Sequence, residues 1–83
     1  MASKLIIAAF PTAAIKVCIQ SEDGAITYQQ LCWMPEFEKA LKNALTRNER
    51  INEIYVLGPD NYISRFIDTI HKLTDLPVIE ERM

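Results

Sequence analysis

Two short apolar runs constrain this chain more than any other feature. Lys4 to Phe10 (KLIIAAF) ends at Pro11, and Ile51 to Leu57, with its apolar segment Ile54-Tyr55-Val56-Leu57, ends at Gly58-Pro59. Apolar runs of this length bounded by breakers read as strands buried on both faces. In the first run Leu5, Ile7 and Ala9 point one way and Ile6, Ala8 and Phe10 the other, because side chains alternate along a strand.

The segments around these runs change period. Ile15 to Gln20 alternates, with Ile15, Val17 and Ile19 opposite Lys16, Cys18 and Gln20, as in a half-buried strand. Ser21-Glu22-Asp23-Gly24 is a turn, and Ala25 to Trp33 is rich in β-branched and aromatic residues. A three-stranded meander follows. Pro35 opens a helix whose Phe37, Ala40, Leu41, Ala44 and Leu45 form one apolar stripe. Glu36 and Glu38 lie at its positive end. Thr46 to Arg50 is a polar connection. After Gly58-Pro59, Asp60 or Asn61 is placed to cap a second helix carrying Ile63, Phe66, Ile67, Ile70 and Leu73. Thr74 to Pro77 ends that helix, Val78-Ile79 begins a last short strand, and Glu80 to Met83 reads as a polar tail.

The expected fold is therefore a single α/β domain over residues 1–83, β-β-β-α-β-α-β, with a five-stranded mixed sheet. Right-handed crossovers are nearly universal. With strand order 3-2-1-4-5, both crossovers run in the same direction and both helices land on one sheet face. The other face is left bare although the central runs are apolar on both sides. The chain has no spare element to cover it, which points to a partner, most simply another copy of the same chain.

Composition excludes several classes. The 83 residues are 49% apolar and 24% charged, which fits a folded domain rather than a disordered one. A net charge of −2 gives no electrostatic footprint for nucleic acid or an anionic membrane. No run approaches the ~20 residues that span a bilayer. The apolar stretch before Pro11 is shorter than the ~7–15 residues of a signal-peptide core. Cys18 and Cys32 fall on adjacent strands of a hairpin, with Cys18 facing a residue near Thr27 or Tyr28. That leaves the two roughly 13 Å apart at ~3.3 Å per residue, beyond the ~7 Å limit of a disulfide. Both read as free thiols, and the expected compartment is the cytoplasm.

The element order resembles the core of the ribonuclease H-like superfamily, which includes ribonucleases H, Holliday-junction resolvases and actin-like ATPases. The nucleases of that superfamily hold two divalent ions ~3.5–4 Å apart with an acid in the first strand, one near the first helix and one after the fourth strand. In this chain Glu36 or Glu38 matches the second and Asp60 the third. The first strand, LIIAAF, carries no acid, and the first turn, Phe10-Pro11-Thr12-Ala13-Ala14, has none of the glycine that actin-like phosphate loops use. The resemblance thus implies a catalytically silent version of the fold, without a metal or other cofactor.

Two groups of residues are candidate sites. Thr12, Gly58, Asp60 and Asn61 lie where open α/β sheets bind ligands, beyond the carboxyl ends of central strands and at a helix N-terminus that favours anions. Capping of the helix explains the same residues without a ligand. Ile6, Ala8, Phe10, Trp33 and Met34 are candidates for an interface. Trp33 and Met34 end the third strand, either packed in the core or exposed as anchors for a protein partner. His71, in the last turn of the second helix, suits the dipole there. Cys18, Cys32 and His71 have no metal-ligand spacing. Lys39, Lys42, Arg47 and Arg50 form a solvated helix face interrupted by acids, and nucleic-acid binding is not expected.

Three functions follow in order: a non-enzymatic assembly module, self-associating through the bare sheet face; a nucleic-acid-associated accessory protein with a degenerate ribonuclease H-like fold; and a binder of a small anionic ligand at the Gly58 to Asn61 loop. A chain this short with no chemistry of its own suits a phage or mobile-element accessory protein.

Overall fold

The computed structural model describes residues 2–10, 13–47 and 50–82. Strand β1 (Ser3–Ala9) pairs antiparallel with β2 (Ile15–Gln20), Ile6 opposite Cys18 and Ala8 opposite Lys16. At the connection the Phe10 N–H donates to the Ala14 carbonyl at 2.9 Å. Ala13 has φ 69°, in the left-handed region that residues with a Cβ seldom occupy. The turn from β2 to β3 (Ile26–Cys32) is closed by Ser21 and Gly24, whose φ of 92° a side chain would strain. The Asp23 carboxylate accepts hydrogen bonds from the Ser21 hydroxyl and, at 3.1 Å, from the Ala25 N–H.

The β2–β3 register shifts between Ile19 and Gln20, so Cys18 lies opposite Gln29 rather than the expected Thr27 or Tyr28. Cys32 lies opposite Ile15. The two cysteines are free and buried, and the alternation sets them on opposite sheet faces.

Pro35 opens a 3₁₀ turn, Met34–Glu36, and α1 (Phe37–Leu45) begins after it. Strand β4 (Ile51–Gly58) then pairs parallel with β1, Ile6 beside Tyr55 and Ala8 beside Leu57. Helix α2 (Asp60–Leu73) leads to β5 (Val78–Arg82), parallel to β4. Two expectations are corrected here. Neither Asp60 nor Asn61 caps α2: the capping position is Pro59, with no side-chain bond. Asp60 instead meets Arg82, Nη1 to Oδ1 3.1 Å. Glu80, Glu81 and Arg82 form most of an edge strand rather than a polar tail. An edge strand tolerates, and is protected by, charge.

The sheet order is β3-β2-β1-β4-β5, and both helices cover the same face. Leu5 and Ile7 of β1, Ile15, Val17 and Ile19 of β2, and Ile54 and Val56 of β4 are completely buried there. Phe37 and Leu41 of α1 and Ile63, Phe66 and Ile70 of α2 close over them. The Phe37 and Phe66 rings meet at 4.8 Å between centroids, joining the helices to each other. Fully burying a side chain of this size stabilises by about 1.5–3 kcal/mol. Among the described residues the core contains no polar or charged side chain. The reading of β1 as buried on both faces is corrected: Leu5, Ile7 and Ala9 are buried, whereas Ile6 and Ala8 are only half-buried.

Candidate functional site

The face of the sheet away from the helices is built by the alternate residues of every strand. Pairing aligns them in rows across the sheet. One row runs Gln29, Cys18, Ile6, Tyr55, Ile79, and the next Leu31, Lys16, Ala8, Leu57, Glu81. A third holds Gln20, Lys4 and Glu53. Continuing the alternation past the strand ends places Phe10 and Trp33 at the edge of this face. Ile6, Tyr55, Ala8 and Leu57 form an apolar middle; Lys16 and Glu81 stand on either side of it, and Lys4 and Glu53 fill the next row toward the start of β1.

No helix covers these residues. Leu31 is 63% exposed, Trp33 56%, Phe10 42% and Ile79 38%. A shallow cleft beside Trp33 is lined by Ala14, Leu31, Cys32 and Glu36. These exposed apolar side chains are spread over the open side, Leu31 and Trp33 at the β3 edge and Ile79 at the β5 edge.

The charges on the open face are segregated. Lys4 and Lys16 belong to β1 and β2, Glu53 and Glu81 to β4 and β5. The Lys4 ammonium stands 4.9 Å from the centre of the Tyr55 ring, a cation–π contact. The Tyr55 hydroxyl is held above its ordinary range, first by the Glu53 carboxylate, with burial and Glu81 acting in the same direction. Burial pushes the Cys18 thiol up, and the nearby Lys16 partly opposes it. Cys32 is raised by burial and then by Glu36.

The sequence candidates divide between the two sides. Ile6, Ala8, Phe10 and Trp33 meet on the open face. Met34 does not join them: at the start of the 3₁₀ turn it packs against the core on the helix side. Tyr55, Leu57 and Ile79 were missed, although the alternation that buries Ile54 and Val56 sends Tyr55 and Leu57 to the opposite face.

Gly58, Asp60 and Asn61 have local explanations. Gly58 has φ 145°, which disfavours a side chain, and a Cβ on it would stand 3.0 Å from the Ala9 Cβ. It lets the end of β4 lie tight against β1. Asp60 is engaged by Arg82, whose other nitrogens bind Glu80 at 2.6 and 3.1 Å. Asn61 is exposed, and Thr12 lies outside the described residues. Among the described residues, the shallow clefts around Lys4, Phe37, Leu73 and Trp33 are lined by none of Gly58, Asp60 and Asn61.

The basic residues of the α1 region are partly engaged. Lys42 reaches Glu38 at 3.8 Å, and the Arg47 guanidinium stacks 4.4 Å from the Tyr28 ring centre. His71 is exposed in the last turn of α2, as its place in the sequence indicates. Among the described residues no three His, Cys, Asp or Glu side chains come together to hold a metal ion. No helix among them is long and apolar enough to cross a membrane. Compared with known proteins, the chain matches no family model and no curated protein.

Proposed function

We propose that this chain is a non-catalytic assembly module that self-associates through the open face of its sheet. One observation carries the reading: both helices lie on the same side of a five-stranded sheet, leaving Ile6, Tyr55, Leu57 and Ile79 on the other with no element of the described residues over them. A two-layer domain needs only one covered face to hold its core. Apolar side chains on the second face add nothing to that core and favour association with a matching surface. The missing first-strand acid fits the same reading, in which a ribonuclease H-like layout is kept as a scaffold without its two-metal chemistry.

Light scattering coupled to size-exclusion chromatography tests it. The wild-type chain is expected to run as a dimer or larger species at micromolar concentration, and Ile6→Lys as a folded monomer. A wild-type monomer at high concentration overturns the proposal. Divalent-metal-dependent cleavage of nucleic acid that disappears in Asp60→Asn overturns its non-catalytic part.

A further inference from the structure

The segregated charges select a geometry for the pair. Resting on the reading of the open face as a self-association surface, we propose a face-to-face homodimer whose two-fold axis runs along the strands, between β1 and β4. Two copies meeting face to face have their two-fold axis in the plane between the sheets. An axis running across the strands lays each strand on its own counterpart. Lys16 and Lys4 then face the basic half of the partner, and Glu53 and Glu81 its acidic half. Like charges brought together in this way oppose association.

An axis along the strands between β1 and β4 exchanges the halves. Strand β1 then lies over the partner's β4, and β2 over its β5. Row by row, Ala8 meets Leu57, Ile6 meets Tyr55, and Cys18 meets Ile79, each from opposite copies. Lys16 meets Glu81, and the symmetry supplies that pair twice. Lys16 and Glu81 cannot meet within one chain, because three strand spacings of ~4.8 Å separate them. Lys4 and Glu53 are already direct neighbours in the sheet, with Lys4 over the Tyr55 ring, so that pair changes less on association. The outer pair is therefore the one that reports the geometry.

The overlap covers four strands over about six residues, roughly 19 by 20 Å from strand spacing and rise. That footprint falls below the ~1,200 Å² total of standard specific interfaces, so the pair is a weak one and two rim pairs weigh appreciably against the apolar centre.

The test is a set of charge reversals in the full chain, read by sedimentation and light scattering, with circular dichroism confirming the fold. Lys16→Glu and Glu81→Lys are each expected to raise the dimer dissociation constant about tenfold in low salt. The effect should shrink in ~1 M salt, where the screening length is ~3 Å. The doubly reversed chain is expected to recover wild-type association. So is an equimolar mixture of the two single variants, since each then meets its complement at both rim contacts. Glu81 stands on an exposed edge strand, so its reversal leaves the core intact if Lys16→Glu does not fold. Single reversals without effect, or no recovery in the double variant and the mixture, overturn this geometry. If Ile6→Lys still abolishes association in that case, the open face remains the interface and only the axis is wrong. If Ile6→Lys also leaves the mass unchanged, the proposed function falls with it.

Discussion

The two faces of this sheet use the same strands and much the same residues, yet they differ in kind. On the helix face, Leu5, Ile7, Ile15, Val17, Ile19, Ile54 and Val56 are shut away from water and no charge stands among them. On the open face, Ile6, Ala8, Tyr55 and Leu57 are half-buried by their neighbours and flanked by Lys4, Lys16, Glu53 and Glu81. Isoleucine at position 6 and isoleucine at position 7 are equally apolar, so hydrophobicity alone does not separate core from surface. The neighbouring rows do. A face left open to water carries charges among its apolar rows, whereas one covered by helices has no need of them.

The largest expected effect sets the two faces directly against each other. Ile7→Lys places an unpaired charge beneath the helices, and desolvating it costs several kcal/mol. Loss of the helical circular dichroism signal at 25 °C is expected. Ile6→Lys keeps its charge hydrated, and the helical signal should persist. Equal unfolding by both would mean that the open face is covered from within the chain.

Cavity formation gives a smaller contrast. Leu41→Ala removes a fully buried side chain of α1 and should cost about 2–5 kcal/mol in urea unfolding. Leu31→Ala, on a residue mostly in water, should change stability by less than about 0.5 kcal/mol. A large effect at Leu31, measured under monomeric conditions, would break the contrast.

Gly58→Ala probes the end of β4, where the strand meets β1 on the helix face. A residue with a Cβ is strained at this φ, and the new methyl crowds Ala9. A loss of about 1–3 kcal/mol is expected, read as a lower urea midpoint at unchanged slope. The same substitution at Gly24 meets open space and pays only for its backbone, so its effect should be the smaller of the two.

The smallest effect lies outside both faces, in the β2–β3 turn. The Ser21 hydroxyl and then the Ala25 N–H hold the Asp23 carboxyl below the usual carboxylate range. A depressed folded-state value means that its contribution is present above the unfolded-state value and is lost as pH falls through the folded one. An NMR titration should place the Asp23 midpoint below that of an unstructured peptide, and Ser21→Ala should move it up. The thermal midpoint should hardly change, because the group is fully exposed.

Much of this arrangement was legible beforehand. The change of period at Pro35 separates meander from crossovers, and the handedness of crossovers places both helices on one face. Which half of β1 faces them was not, because LIIAAF is apolar at both parities. The assignment comes from pairing, which puts Leu5 and Ile7 level with Ile19 and Val17, and Ile6 and Ala8 level with Cys18 and Lys16. The cap at Asp60 was misread for a related reason. A local motif pointed to the helix, while the side chain's partner, Arg82, lies 22 residues away in sequence. Glu80 to Arg82 looked like a tail because charges are rare in central strands, yet β5 is an edge. Trp33 and Met34 are adjacent in sequence yet part company, because the 3₁₀ turn starts between them.

One property of the interior bears on how such a chain changes over generations. Among the described residues the core has no buried polar side chain, so no internal side-chain hydrogen bond is there for a single substitution to orphan. Its requirements are volume and alternation, which exchanges among leucine, isoleucine, methionine and valine largely preserve. Few interior positions admit only one amino acid, and Gly58 is the clearest of them. Lineages carrying this architecture are therefore free to diverge in their letters while the scaffold persists. The residues that resist replacement would then lie where the molecule meets something else.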